Sequence, residues 1–210
     1  QMESWDKNEI SIEITFIVEG KKEEYVKKAL ESCTVDESGS ASMVSIVTRT
    51  GDWGNKIDNI ETNIRIKAPS TIALDLNHRF GDASFPSLSG KVILDIQHGD
   101  IRFEGMKHQR NEMDFAFTDA ILGDINGASI EAQHSDVKIH SIEGLNLDNQ
   151  FSDVKIKTLG VLLVADCQHS DIDILEVKAS MQSIRVDIQF GDLDMIFDEG
   201  ASWKLEADLS

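Results

Sequence analysis

The sequence predicts an all-β protein, a parallel β-helix or solenoid of about seven short coils, with one short N-terminal helix. Three observations predict it. A short phrase ending in Asp recurs seven times between residues 80 and 192. Apolar residues keep fixed places on either side of that Asp. A single copy is also too small to hold a core alone, so the copies must stack.

The phrase reads Phe80-Gly81-Asp82, His98-Gly99-Asp100, Phe117-Thr118-Asp119, His134-Ser135-Asp136, Phe151-Ser152-Asp153, His169-Ser170-Asp171 and Phe190-Gly191-Asp192. The Asp-to-Asp steps are 18, 19, 17, 17, 18 and 21 residues. Six positions before the Asp stand Leu76, Leu94, Met113, Ile130, Leu147, Ala165 and Val186. One position after it stand Ala83, Ile101, Ala120, Val137, Val154, Ile172 and Leu193, and two further on Phe85, Phe103, Leu122, Ile139, Ile156, Ile174 and Met195. The residues between are polar, so each copy reads as strand, corner, strand. The alternation shifts phase across the corner, as a bend must if both strands face one core. Gly, Ser or Thr before Asp suits such a corner, where Asp can accept nearby backbone N–H groups.

Energetics require the stacking. One unit buries about five apolar side chains, each worth ~1.5–3 kcal/mol. Ordering its residues costs about 1.5 kcal/mol apiece, which leaves the isolated unit near or below zero. Parallel pairing with equivalent strands of adjacent coils adds hydrogen bonds and a continuous core. Right-handed winding is expected, because parallel crossovers are right-handed in the great majority of cases.

Phe80, His98, Phe117, His134, Phe151, His169 and Phe190 form an alternating column two positions before the Asp. Parity assigns it to the inward side. With one copy per coil, each His lies between two Phe rings. With two copies in a coil of about 36 residues, the imidazoles would form their own column about 5 Å apart. A three-His metal site or a pH switch is weighed against three partly buried packing histidines, and packing is expected.

The corner Asp residues and the acidic column five positions before them (Asn77, Asp95, Asp114, Glu131, Asp148, Asp166, Asp187) repel along a stack. Asp100, Asp136, Asp153 and Asp171 are the calcium candidates among them. Calcium-binding β-rolls use Gly-rich nonapeptides, a pattern this spacing lacks, so solvated acidic faces with help from Lys138 and Lys155 are expected. The column of Gln97, Gln133, Gln150, Gln168 and Gln189 suggests side-chain amide ladders between coils. No metal and no cofactor is expected. Because the Asp residues recur with the fold, and no nucleophile motif or phosphate loop is present, the chain is expected not to be an enzyme.

The chain reads as a single domain, 1–210, in three parts: a decorated N-terminal part, 1–70, seven repeats of about 18 residues over 71–199, and a last strand over 200–210. Ile10–Phe16, Ser45–Thr48 and Ile60–Ile66 alternate as strands, and residues 21–32 form a helix with Tyr25, Val26, Ala29 and Leu30 on one face. Trp203, Leu205 and Ala207 alternate in the last strand. Trp5, Trp53 and Trp203 lie outside the repeat and are expected as lids over the core ends.

A net charge of -18 excludes a basic nucleic-acid footprint and disfavours anionic lipid surfaces. No apolar run reaches the roughly 20 residues of a membrane span. The chain starts at Gln1 with no signal-peptide pattern, which is expected of a mature or trimmed protein. Cys33 and Cys167 are the only cysteines and form no CxxC pair. A disulfide between them is open, and a buried free thiol is expected at Cys167.

The run Trp5-Asp6-Lys7-Asn8-Glu9-Ile10, the later Ile66-Lys67-Ala68-Pro69-Ser70, then Leu74-Asp75-Leu76 and Phe80-Gly81-Asp82 resemble a bacterial adhesin-like family of unknown function, cell-envelope proteins with β-helix repeats. The resemblance spans nearly the whole chain. It implies a β-helical fold and export to the periplasm, the outer membrane or the cell surface, with no catalytic residues to carry over. Three phrases carry His where the family more often has Tyr or Phe. The function expected is a non-catalytic binding or scaffold module whose partner is a protein or glycan at the cell surface. A carbohydrate-active β-helix enzyme and a structural spacer or assembly subunit are the alternatives.

Overall fold

A computed structural model of the chain describes residues 1–40 and 42–199. They form two compact units, one of Ser11–Ile66 and one of Gln1–Ile10 with the chain from Lys67 onward. The expected C-terminal strand over 200–210, with Trp203, lies outside the described residues.

The larger unit opens with β1 (Met2–Trp5). The smaller unit holds β2 (Ser11–Glu19), α1 (Glu23–Ser32), β3 (Thr34–Ser40), β4 (Met43–Arg49) and most of β5 (Asn59–Pro69). Helix α1 starts with Glu23 and Glu24, whose charges suit a helix N-terminus. Lys28 pairs with Glu24 one turn away at 2.6 Å, and Ala29 is its buried residue. Strands β3 and β4 form an antiparallel hairpin, tied by an Arg49–Asp36 ion pair. β3 reads Thr-Val-Asp-Glu-Ser-Gly-Ser and is exposed throughout, so no apolar alternation announces it. The expected lids are engaged locally. The Trp53 indole N–H donates to Ser32 Oγ at 3.0 Å, and that of Trp5 donates to Glu9 O at 2.8 Å.

In the larger unit the repeats become a stack of parallel strands. Coil 1 holds β6 (Leu74–Arg79) and β7 (Ala83–Phe85). Coils 2 and 3 are single bent strands, β8 (Val92–Met106) and β9 (Asn111–Ile125). Coil 4 holds β10 (Ala128–Gln133) and the start of β11 (Asp136–Gln150), which runs on into coil 5. β12 (Val154–Gln168) likewise joins coils 5 and 6. β13 (Ile172–Val177), β14 (Ser183–Gln189) and β15 (Leu193–Phe197) complete the series.

Register settles the coil size. Asp100 lies beside Asp119 and Asp119 beside Asp136, while Ile130 is flanked by Met113 and Leu147. One phrase therefore makes one coil of about 18 residues, and every column of the sequence is a physical column along the axis.

The three expected apolar columns are inward. Leu94, Ile130 and Leu147 before the corner, and Ile101, Val137, Val154, Phe103, Ile139 and Ile156 after it, are all buried. Phe85 and Phe103 stack at 5.1 Å inside the core. Three further inward columns accompany them. Eight positions before the Asp stand Val92, Asn111, Ala128, Leu145 and Leu163, four before it Ile96, Phe115, Ala132, Asn149 and Cys167, and six after it Leu88, Met106, Ile125, Ile142, Leu159 and Val177. Asn111 belongs there because it is fully used. Its Nδ2 donates to His108 O and Gly127 O, and its Oδ1 accepts the Val92 N–H. Cys167 is buried and, like Cys33, is a free thiol.

The Phe/His column corrects the expectation of an inward side. All seven side chains are exposed, the four Phe rings by 49–76%. The physical reason is backbone handedness. Each of the seven has a positive φ, between 50° and 63°. A left-handed residue reverses the alternation at its own position, so the phase shift falls one step before the Gly/Ser-Asp pair. The residue three before the Asp and the aromatic residue both point outward. The small residue before the Asp points inward.

Candidate functional site

The corner can be built from its hydrogen bonds. At the aromatic residue the inter-coil ladder still holds: Phe80 N–H donates to Gln97 O at 2.9 Å and His169 N–H to Gln189 O at 2.8 Å. The left-handed turn then tips the next peptide inward; in coil 1 the Gly81 N–H still reaches His98 O at 3.2 Å, whereas in coils 3 to 5 the N–H turns to a side chain. A hydroxyl accepts it there. Thr118 N–H donates to Ser135 Oγ at 3.0 Å, Ser135 N–H to Ser152 Oγ at 2.8 Å and Ser152 N–H to Ser170 Oγ at 3.3 Å. Each of these three Ser hydroxyls donates in turn across its own corner, to the carbonyl of Gln133, Gln150 or Gln168 at 3.0 Å. The small polar residue before the Asp is therefore the device that closes the turn.

Left-handed backbone costs a non-glycine residue about 1–2 kcal/mol. The rings offset much of it. Each of the six neighbouring pairs stacks, with centroids 4.8–5.1 Å apart and planes within 16° of parallel. Such pairs contribute about 0.5–1.5 kcal/mol each beyond burial. Six steps carry the ladder roughly 30 Å along the solenoid axis. Inside the ladder the ring faces cover one another, and the ring edges face solvent.

Carboxylates border the ladder on both sides. On one side, beyond the Gln column, stand Asp95, Asp114, Glu131, Asp148, Asp166 and Asp187, and on the other stand the corner Asp residues; nearly all are exposed. A shallow depression of about 290 Å³ on the first face is lined by Glu131, Asp148, Asp166, Asp187 and Arg185. Partial burial and the neighbouring Asp95 raise the Asp114 carboxyl above its ordinary value. Burial, with Asp166 and Asp148 behind it, pushes the Cys167 thiol up to about 11.

The histidines do not converge. Each imidazole is separated from the next by a Phe ring, about 10 Å from centroid to centroid, so no two can share one ion. Among the described residues, no three His, Cys, Asp or Glu side chains gather as a metal site. Of the calcium candidates, Asp171 accepts the Asp192 N–H of the next coil at 2.9 Å, as Asp82 accepts that of Asp100 at 3.1 Å. Asp100, Asp136, Asp153 and Asp171 line up in the corner column, one per coil. The expected amide ladder takes another form at Gln97, whose Nε2 donates to Asp95 Oδ1 on its own strand at 3.4 Å. Lys155 pairs with Asp173 at 3.2 Å, on the outer face beyond the corner. No helix among the described residues is long and apolar enough to cross a membrane. Compared with known proteins, the chain matches no family model, no curated protein and no solved structure.

Proposed function

We propose that this solenoid is a non-catalytic binding or scaffold module of a bacterial cell envelope, with adhesin-like activity toward a protein or glycan at the cell surface. The observation that carries the reading is the exposed aromatic ladder. Seven rings of one column face solvent, each at a strained backbone position, where glycine would be the unstrained choice. Exposed apolar surface ordered over several coils is characteristic of interaction sites. A non-catalytic role is supported by the carboxylates, which recur with the fold instead of converging on one cleft. Export rests on the family resemblance of the repeat phrase and the N-terminal run.

Two measurements test this reading. Fractionation of the source bacterium should recover the protein with the envelope or at the surface; recovery in the cytosol would overturn the localisation. Purified protein should bind envelope extracts or arrayed surface glycans, and Phe117→Ser with Phe151→Ser should abolish that binding while the fold survives by circular dichroism. Binding indifferent to the two substitutions would remove the ladder from the function.

A further inference from the structure

The ladder carries information about its partner. We infer that it docks a cationic, partly apolar polypeptide segment laid along the solenoid axis; the inference rests on the binding-module reading above. Ring edges form a strip roughly 30 Å long, in which four apolar Phe edges alternate with the polar edges of His98, His134 and His169. Glu131, Asp148 and Asp166 run along one side of it, beyond Gln133, Gln150 and Gln168, and Asp136, Asp153 and Asp171 line the other. All six are exposed, and none is held in an ion pair among the described residues.

The geometry narrows the chemistry further. Like charges at coil spacing, about 5 Å, repel along each column, and a chain of cations relieves both columns at once. Because neighbouring rings occupy one another's faces, the strip offers no open ring face within its length. It therefore rewards apolar side chains against the edges, not sugars stacked on rings or ammonium groups centred over them. A partner must thus supply Lys or Arg for the flanks and apolar groups for the strip. A neutral glycan meets neither requirement, and nucleic acid is repelled. The depression between Glu131, Asp148, Asp166 and Asp187 gives one cationic side chain a concave seat, although Arg185 at its margin occupies part of that field.

The test uses the whole chain and three synthetic peptides: alternating lysine and leucine, alternating glutamate and leucine, and lysine alone. Fluorescence anisotropy at low salt should show the lysine–leucine peptide binding about tenfold or more tighter than lysine alone, and the glutamate–leucine peptide not at all. Glu131→Gln with Asp148→Asn and Asp166→Asn should weaken the lysine–leucine peptide about tenfold, and rising salt should do the same. Phe117→Ser with Phe151→Ser should erase the preference for lysine–leucine over lysine alone. Glu13→Gln with Glu61→Gln, in the smaller unit, should change nothing. Equal affinity for the two lysine peptides, or retention after the carboxylates are neutralised, would overturn the inference. If neutral glycans bind through the ladder and the lysine–leucine peptide does not, the inference fails and the binding-module reading stands. If nothing binds, both fail.

Discussion

The central coils and the end coils of the solenoid close the same corner by different means. In coils 3 to 6 the residue before the Asp is Thr118, Ser135, Ser152 or Ser170. Its hydroxyl bonds its own coil, and in three of the four it also takes an amide from the coil before. In coils 1, 2 and 7 it is Gly81, Gly99 or Gly191. At Gly99 and Gly191 a backbone carbonyl lies where a side chain would go. A Cβ on Gly99 would meet Gly81 O, and one on Gly191 would meet Ser170 O, each far inside contact distance. Gly81 itself has φ +118°, a conformation open mainly to glycine. The packing differs in parallel. Phe115, Ile130 and Ile156 in the central coils are sealed, whereas Leu76, Val186, Ile188 and Met195 at the ends are half-exposed. In a solenoid each coil is stabilised by its two neighbours, and the half-exposed positions lie in the first and last coils; coil 2, flanked on both sides, seals Leu94, Ile96 and Phe103 although its corner residue is Gly99.

Breaking the core in the two places should expose this contrast most strongly. Phe115→Ala should destabilise by about 3–5 kcal/mol, the cost of a large cavity at a site that cannot relax. Val186→Ala should cost about 1 kcal/mol or less, because its side chain already meets solvent. Urea midpoints measured by circular dichroism decide it, and equal losses would mean that the end coil is as well packed as the middle.

The corners themselves come next. Gly99→Ala should cost about 1–3 kcal/mol through overpacking against the Gly81 carbonyl. Ser135→Ala places no atom in a new position, yet it should cost about 1–3 kcal/mol by stranding the buried Thr118 N–H. Ser135→Thr, which keeps the hydroxyl as Thr118 does, should recover most of that loss in the same assay.

Smaller effects sharpen the view of the ladder and the buried thiol. His134→Phe keeps a flat ring between Phe117 and Phe151 and should shift stability by no more than about 0.5 kcal/mol; a collapse in folding would reveal an obligatory hydrogen bond at that imidazole. For Cys167 the sign follows from its raised thiol. The fold disfavours the thiolate, whereas the unfolded chain ionises near its ordinary value of 9. The stability this group contributes is therefore complete below pH 9 and is lost as pH climbs toward about 11. Cys167→Ala should flatten that alkaline slope in pH-dependent urea titrations.

The sequence made the stacking legible because columns of Leu, Ile, Val and Met recur at nearly constant spacing, and in a solenoid spacing is geometry. Three inward columns were less visible for specific reasons. The column at Phe115, Ala132, Asn149 and Cys167 changes size and polarity at each coil, and the one at Val92 and Leu145 contains Asn111. The column at Met106, Ile125 and Ile142 lies an odd number of positions beyond the previous inward one, so strict alternation does not reach it. The ladder was misplaced for a different reason. Left-handed backbone is the habit of Gly, Asn and Asp and, less often, His, so the three His positions carry only a weak local sign of it and the four Phe positions none. Only their stacking across coils, a property of the assembled fold, makes that conformation affordable.

In-register stacking at one coil per phrase can be measured along the corner column. With Cys33 and Cys167 replaced by Ala, spin labels would be placed at Asp82→Cys and, in turn, at Asp136→Cys, Asp153→Cys, Asp171→Cys or Asp192→Cys. Pulsed electron resonance should return separations that grow linearly, by about 5 Å for each added repeat. Two phrases per coil would return Asp153 and Asp192 to the Asp82 column at about half those separations with Asp136 and Asp171 displaced across the coil, and separations that turn back toward the start along the whole series would mean that the strands fold back on one another instead of climbing one axis.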